Sequence, residues 1–130
     1  MVYLLDTSII IRFLVGDHEE HLAKSIEIFK DIEKAKLQVK ILDTVLMETF
    51  FVLTKFYKLP KNEVINDLKA ILTLNGVINS NKTILHETLS IIENKNIDFV
   101  DALICLYSSL ELLELTTVSP SSFRLDYKHI

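Results

Sequence analysis

Asp6, Glu48 and Asp101 each stand among apolar neighbours, where carboxylates are least expected. Asp6 directly follows the run Val2-Tyr3-Leu4-Leu5. Glu48 lies in the stretch from Val45 to Val52, with Thr44, Val45, Phe51 and Val52 at helical spacing around it. Asp101 has Ile97, Asp98, Ile104 and Cys105 as the corresponding neighbours. A lone carboxylate withdrawn from water costs several kcal/mol unless it is paired or bound to a metal. No Lys or Arg lies within four residues of Glu48 or Asp101. A divalent ion held by oxygen ligands would satisfy all three acids together, and the lack of a matching His or Cys set points to Mg2+ or Mn2+. Asp98 is a further ligand candidate, although its place also suits a helix N-cap. Taken singly, Asp6 could cap a helix, Glu48 could pair with a distant lysine, and Asp101 could sit in a first helical turn favoured by the dipole. The joint pattern is much harder to explain that way.

The elements that must position these acids follow from hydrophobic periodicity. Val2 to Leu5 is a continuous apolar run, as expected of a buried strand. Ser8 to Val15 then predicts a short helix ended by Gly16. Asp17 and Glu20 form a capping-box pattern for a helix from His18 to Lys36, with Leu22, Ile26, Phe29 and Ile32 as its apolar stripe. Val39 to Leu42 reads as a second strand, followed by a helix from Asp43 or Thr44 to Tyr57. Pro60 opens another helix, which Gly76 closes, and Val77-Ile78 gives a short third strand. Asn81 caps a helix to Lys95. A helix from Asp98 to Leu113, apolar almost all round, is expected to be central. Leu115 to Val118 reads as a fourth strand and Ser119 to Ser122 as a turn.

Strands separated by one or two helices imply right-handed crossovers and a parallel sheet covered on both faces. The expected fold class is therefore α/β, with one domain over residues 1–130. In such sheets the ligand site lies beyond the carboxyl ends of the strands, where Asp6 falls.

Composition narrows the function classes. The chain has 130 residues, 49% of them hydrophobic, and a net charge of −4. That balance argues against a module that grips nucleic acid by blanket positive charge, but bound cations can supply positive charge locally. The single cysteine, Cys105, excludes an intrachain disulfide and suits a reducing compartment; its neighbours suggest a small buried apolar residue. The N-terminus carries no signal-peptide pattern and no apolar run approaches membrane-spanning length, so a soluble cytoplasmic protein is expected. His18-Glu19-Glu20-His21 lacks the spacing of the zinc motif His-Glu-x-x-His. His86 and His129 read as surface residues, and Lys55, Lys58 and Lys61 as a solvated helix end.

Asp6-Thr7-Ser8 after a short apolar strand resembles the opening motif of PIN domains. Glu48 matches the second acid of that family, and Asp98-Phe99-Val100-Asp101-Ala102-Leu103-Ile104 resembles its third-acid segment, with Asp101 as the acid. Thr117-Val118-Ser119, followed by Phe123, is similar to the segment where many members carry Thr-x-Asp; Ser119 departs from it where a fourth aspartate is common. The resemblance covers nearly the whole chain. It implies a three-layer α-β-α sandwich with a central parallel sheet of four or five strands. It also implies a metal-dependent endoribonuclease similar to VapC-type toxins, which pair with an antitoxin protein and commonly form homodimers.

On that resemblance Asp6, Glu48 and Asp101 are the metal-binding and catalytic residues for phosphodiester hydrolysis. The expected products carry 5′-phosphate and 3′-hydroxyl ends. Thr7, Ser8, Thr117 and Ser119 are candidates to orient ligands or metal-bound waters. Arg12, one turn after Ser8, is a weak candidate for contacting substrate phosphate. Ser119 supports a rival reading, a catalytically weakened PIN-like module that binds RNA or protein. A receiver-type phosphate-accepting domain would need an aspartate and a lysine near the last strand, which Val118-Ser119 does not offer.

Overall fold

Helices dominate the computed structural model, which describes the backbone of residues 1–117 and the side chains of residues 1–109. In chain order they are α1 (Thr7–Val15), α2 (Glu19–Glu33), α3 (Asp43–Phe51), α4 (Lys61–Leu72), α5 (Lys82–Asn94) and α6 (Phe99–Thr117). Strands β1 (Val2–Leu4) and β2 (Gln38–Lys40) form a parallel pair, with Tyr3 opposite Val39. The expectation of a four- or five-stranded central sheet in a three-layer sandwich is therefore corrected. The described chain is an α-helical domain carrying a small two-stranded sheet.

Two local events account for the missing strands. Val77 makes one parallel bridge to Val39, with the Ile78 amide donating to the Val39 carbonyl at 2.9 Å. The ladder then ends, because the side chain of Asn79 takes the next partners. Ile41 N–H donates to Asn79 Oδ1 at 2.8 Å, and Asn79 Nδ2 donates to the Ile41 carbonyl at 2.7 Å. A carboxamide thus replaces the backbone of a third strand, and the chain leaves to begin α5. At the other end, Leu115 to Thr117 continue α6. The preceding Leu110-Glu111-Leu112-Leu113-Glu114 consists of good helix formers, and their propensity carries the helix through the expected strand. Val118 and the expected turn at Ser119 to Ser122 lie outside the described residues.

The helices themselves follow the periodicity. Gly16 ends α1 at φ 66°, a left-handed geometry that glycine adopts without steric cost. The capping box expected at Asp17 is not formed: His18 is the N-cap of α2 and makes no side-chain capping bond. Gly76 does not close α4, which ends at Leu72. It lies where the backbone touches its neighbours, and a Cβ there would collide with the carbonyls of Leu37 and Ile32. After Phe51 the expected helix to Tyr57 loosens into a π-helical turn, Val52–Phe56. The Thr54 hydroxyl donates to the Phe50 carbonyl at 2.7 Å there, a bond that competes with the backbone ladder.

One cluster of buried apolar side chains joins all the helices, including Ile10, Phe29, Ile32, Leu46, Leu53, Leu68, Leu89 and Phe99. Contrary to expectation, α6 is not buried all round. Phe99 and Ala102 are buried, whereas Val100, Ile104 and Cys105 are exposed. Among the described residues no helix is long and apolar enough to cross a membrane.

Candidate functional site

Asp6 occupies the N-cap position of α1, immediately after β1 and Leu5, yet its carboxylate makes no capping bond. Instead Asp6 Oδ2 accepts a bond from the Ser8 hydroxyl at 2.8 Å. The bland role of helix cap is thus not the one its side chain performs. The next residue, Thr7, is buried and turns inward, where Thr7 Oγ1 donates to Glu48 Oε2 at 3.1 Å. That bond ties the end of β1 to the second turn of α3. Ser8 and Thr7, both expected to orient the acids, therefore each hold one carboxylate.

Asp101 comes from the first turn of α6. Among the described residues it makes no direct bond to Asp6 or Glu48. Phe99, two residues before it, lies against Phe50, two residues after Glu48, with ring centroids 6.2 Å apart. Asp98 stands just before α6, and its carbonyl accepts the first helical bond, from Ala102, at 3.0 Å. Its position is that of the expected N-cap.

One expectation needs correction. Asp6, Glu48 and Asp101 are all exposed, so burial cost does not explain their placement. Several of their apolar neighbours are themselves exposed: Tyr3 and Leu4 before Asp6, Phe51 beside Glu48, and Ile97, Val100 and Ile104 around Asp101, Ile104 at 57% exposure. Among the described residues, moreover, no group of three His, Cys, Asp or Glu side chains is gathered closely enough to hold a metal ion. The structure joins the Asp6 segment to Glu48 through Thr7, and the Phe50–Phe99 contact links α3 to the first turn of α6.

The donor chemistry still suits a hard divalent cation. The candidates are oxygen ligands, and none of the three acids takes part in an ion pair among the described residues, where the pairs are Lys24–Glu20 and Lys69–Glu93. The distant-lysine alternative for Glu48 is not realised among them. Arg12 is exposed on α1, one turn from Ser8. Thr117 ends a helix instead of a strand, and Ser119, Phe123 and His129 lie outside the described residues. A cavity of about 380 Å³ between α1, α2 and α4, lined by Phe13, Phe29, Ile71 and Leu74 among others, contains none of the candidate acids.

The sequence reading missed Asn79, Asn81 and Tyr107. Asn79 Nδ2 donates to Asn81 Oδ1 at 2.9 Å, and Asn81 Nδ2 donates to the Tyr107 hydroxyl at 2.8 Å. Asn81 was expected only as a cap, and it does stand at the N-cap of α5, but its side chain makes no capping bond. Amide networks of this kind carry no periodic signal; only the turn-forming Asn-Ser-Asn sequence hinted at local side-chain bonding.

Asp6 after β1, Glu48 on α3 bonded to Thr7, and Asp101 in the first turn of α6 are the candidate acids this helical scaffold presents. The PIN domain family model matches residues 3–115, from β1 to near the end of α6, and the chain belongs to that family. Membership is consistent with a nuclease-type function in general. No curated protein and no solved structure matched the chain.

Proposed function

We propose that the protein is a metal-dependent endoribonuclease in which Asp6, Glu48 and Asp101 hold Mg2+ or Mn2+ and hydrolyse RNA phosphodiester bonds. The observation that carries this reading is the Thr7–Glu48 hydrogen bond, which places the acid of α3 beside the strand end that bears Asp6. Family membership supports the reaction class. A divalent ion bound there would supply Lewis-acid stabilisation of the phosphate charge and lower the pKa of an attacking water. The chain's own residues supply the oxygen donors and their orientation. Ser8 fixes one oxygen of Asp6, Thr7 fixes one oxygen of Glu48, and Phe99 seats the first turn of α6 against α3. In this reading Arg12, exposed one turn beyond Ser8, is a weak candidate to contact an RNA phosphate.

On the resemblance of the Asp6-Thr7-Ser8 and Asp98-to-Ile104 segments, the protein acts as the toxin of a toxin–antitoxin pair. A cognate antitoxin and a second copy of the chain are its partners, and the cytoplasm is its compartment. Ser119, where many members of the family carry a fourth acid, favours one rival, a weakened PIN domain that binds RNA or protein without cutting. Cleavage of single-stranded RNA by purified protein, with Mn2+ or with EDTA, distinguishes the two. The nuclease reading expects Mn2+-dependent cleavage that Asp6→Asn and Asp101→Asn abolish. Cleavage by either variant at the parental rate would refute it.

A further inference from the structure

The amide relay runs from the segment just before α3, the helix that carries Glu48, to α6, the helix that carries Asp101. Its first member, Asn79, holds both backbone groups of Ile41, which is fully buried and stands one residue before the N-cap of α3. Its last member, Tyr107, lies on α6 six residues after Asp101. Between them, Asn81 passes the connection from one side chain to the next. All three side chains are partly buried, so their bonds are shielded from competing water and hold geometry better than surface bonds.

We propose that Asn79, Asn81 and Tyr107 are positioning residues that set the rotation of α6 against the start of α3, and so the approach of Asp101 to Asp6 and Glu48. Three features support this. The relay runs from Ile41 at the β2–α3 junction through the start of α5 to α6 without a gap in hydrogen bonding. Asn79 does work that a third strand would otherwise do, so its bonds fix where α3 begins. Finally, Asp101 has no direct bond to the other acids among those described, so its approach to them depends on how α6 is seated. The Tyr107 hydroxyl, held by Asn81, fixes α6 at a second point beyond Phe99. The inference rests on the nuclease reading, since the geometry at stake is that of its three acids.

The test compares the parent with Tyr107→Phe and Asn79→Ala, using Ser25→Ala as a control that loses a hydrogen bond to the Leu22 carbonyl on α2. Mn2+ affinity is measured by electron paramagnetic resonance, and kcat and KM on a single-stranded RNA are measured separately. Tyr107→Phe removes one oxygen and tolerates the fold even if Asn79→Ala does not. Both relay variants are expected to weaken Mn2+ binding and lower kcat about tenfold, the lower end of the range for residues that orient metal ligands, with KM nearly unchanged. Ser25→Ala should leave all three quantities as in the parent. Parental Mn2+ affinity and kcat in Tyr107→Phe would overturn the positioning role while leaving the nuclease reading intact. A parent that neither binds Mn2+ nor cuts RNA would overturn the nuclease reading, and the relay's role with it.

Discussion

Phe50 and Phe99 meet with ring centroids 6.2 Å apart, tilted by 40°, and each stands two residues from an acid of the candidate site. Both rings belong to the buried cluster, Phe99 at 1% exposure. The contact links the helix bearing Glu48 to the first turn bearing Asp101, and it makes the core a part of the candidate site's geometry.

Phe99→Ala should therefore act twice. Truncating a buried phenylalanine costs about 3–5 kcal/mol through lost transfer energy and the cavity left behind. Phe99→Leu keeps much of the volume and should cost far less. If the contact also seats Asp101, Phe99→Leu will lower RNA cleavage by more than its small loss of stability explains. Denaturant unfolding and single-turnover cleavage on the same samples give both numbers; unchanged cleavage in Phe99→Leu would show that the rings only fill space.

Thr7→Val removes the hydroxyl that holds Glu48 and keeps the buried shape. A hydrogen bond of this kind contributes about 1 kcal/mol net. The larger effect should fall on function, because the glutamate loses its fixed rotamer. Thr7→Ser keeps the donor and should behave like the parent. Equal Mn2+ affinity in Thr7→Val and Thr7→Ser would contradict this role for the Thr7 hydroxyl.

Gly76→Ala tests the close approach between the segment after α4 and the end of α2. The added methyl meets the carbonyls of Leu37 and Ile32, which belong to backbone and cannot swing aside. Overpacking typically costs about 1–3 kcal/mol. Thermal unfolding should show a clear drop, and a Tm equal to the parent's would mean that the backbone there yields more readily than its bonds imply.

The sequence located most of the helices and the acids, because amphipathic spacing and strand-end position are local signals. Gly16 and Pro60 marked their boundaries for the same reason. The sheet was overestimated where tertiary bonding overrides propensity. Nothing in Val77-Ile78 announces that the Asn79 side chain will take the bonds of Ile41, and Leu115 to Thr117 were read as strand although the run before them favours helix. The acids were expected to be buried because apolar residues surround them in sequence. Leu42, Val100 and Ile104 are exposed, and sequence neighbours cannot show which faces of α3 and α6 remain uncovered.

Asp6→Asn should leave the metal-free protein at least as stable as the parent. Its carboxylate makes no helix-capping bond, and the residue beside it is bonded to Glu48, so removing one negative charge relieves repulsion. Asn retains an acceptor for the Ser8 hydroxyl. Calorimetry in EDTA checks this, and a marked fall in Tm would assign Asp6 a structural duty instead.

The most direct test of the central claim is Mn2+ binding to the parent and to Asp6→Asn, Glu48→Gln and Asp101→Asn, titrated side by side. Three acids acting on one ion predict saturable binding in the parent and a loss of about tenfold or more in every variant. Undiminished binding in Asp101→Asn would contradict the account, because it would leave the acid of α6 outside the site.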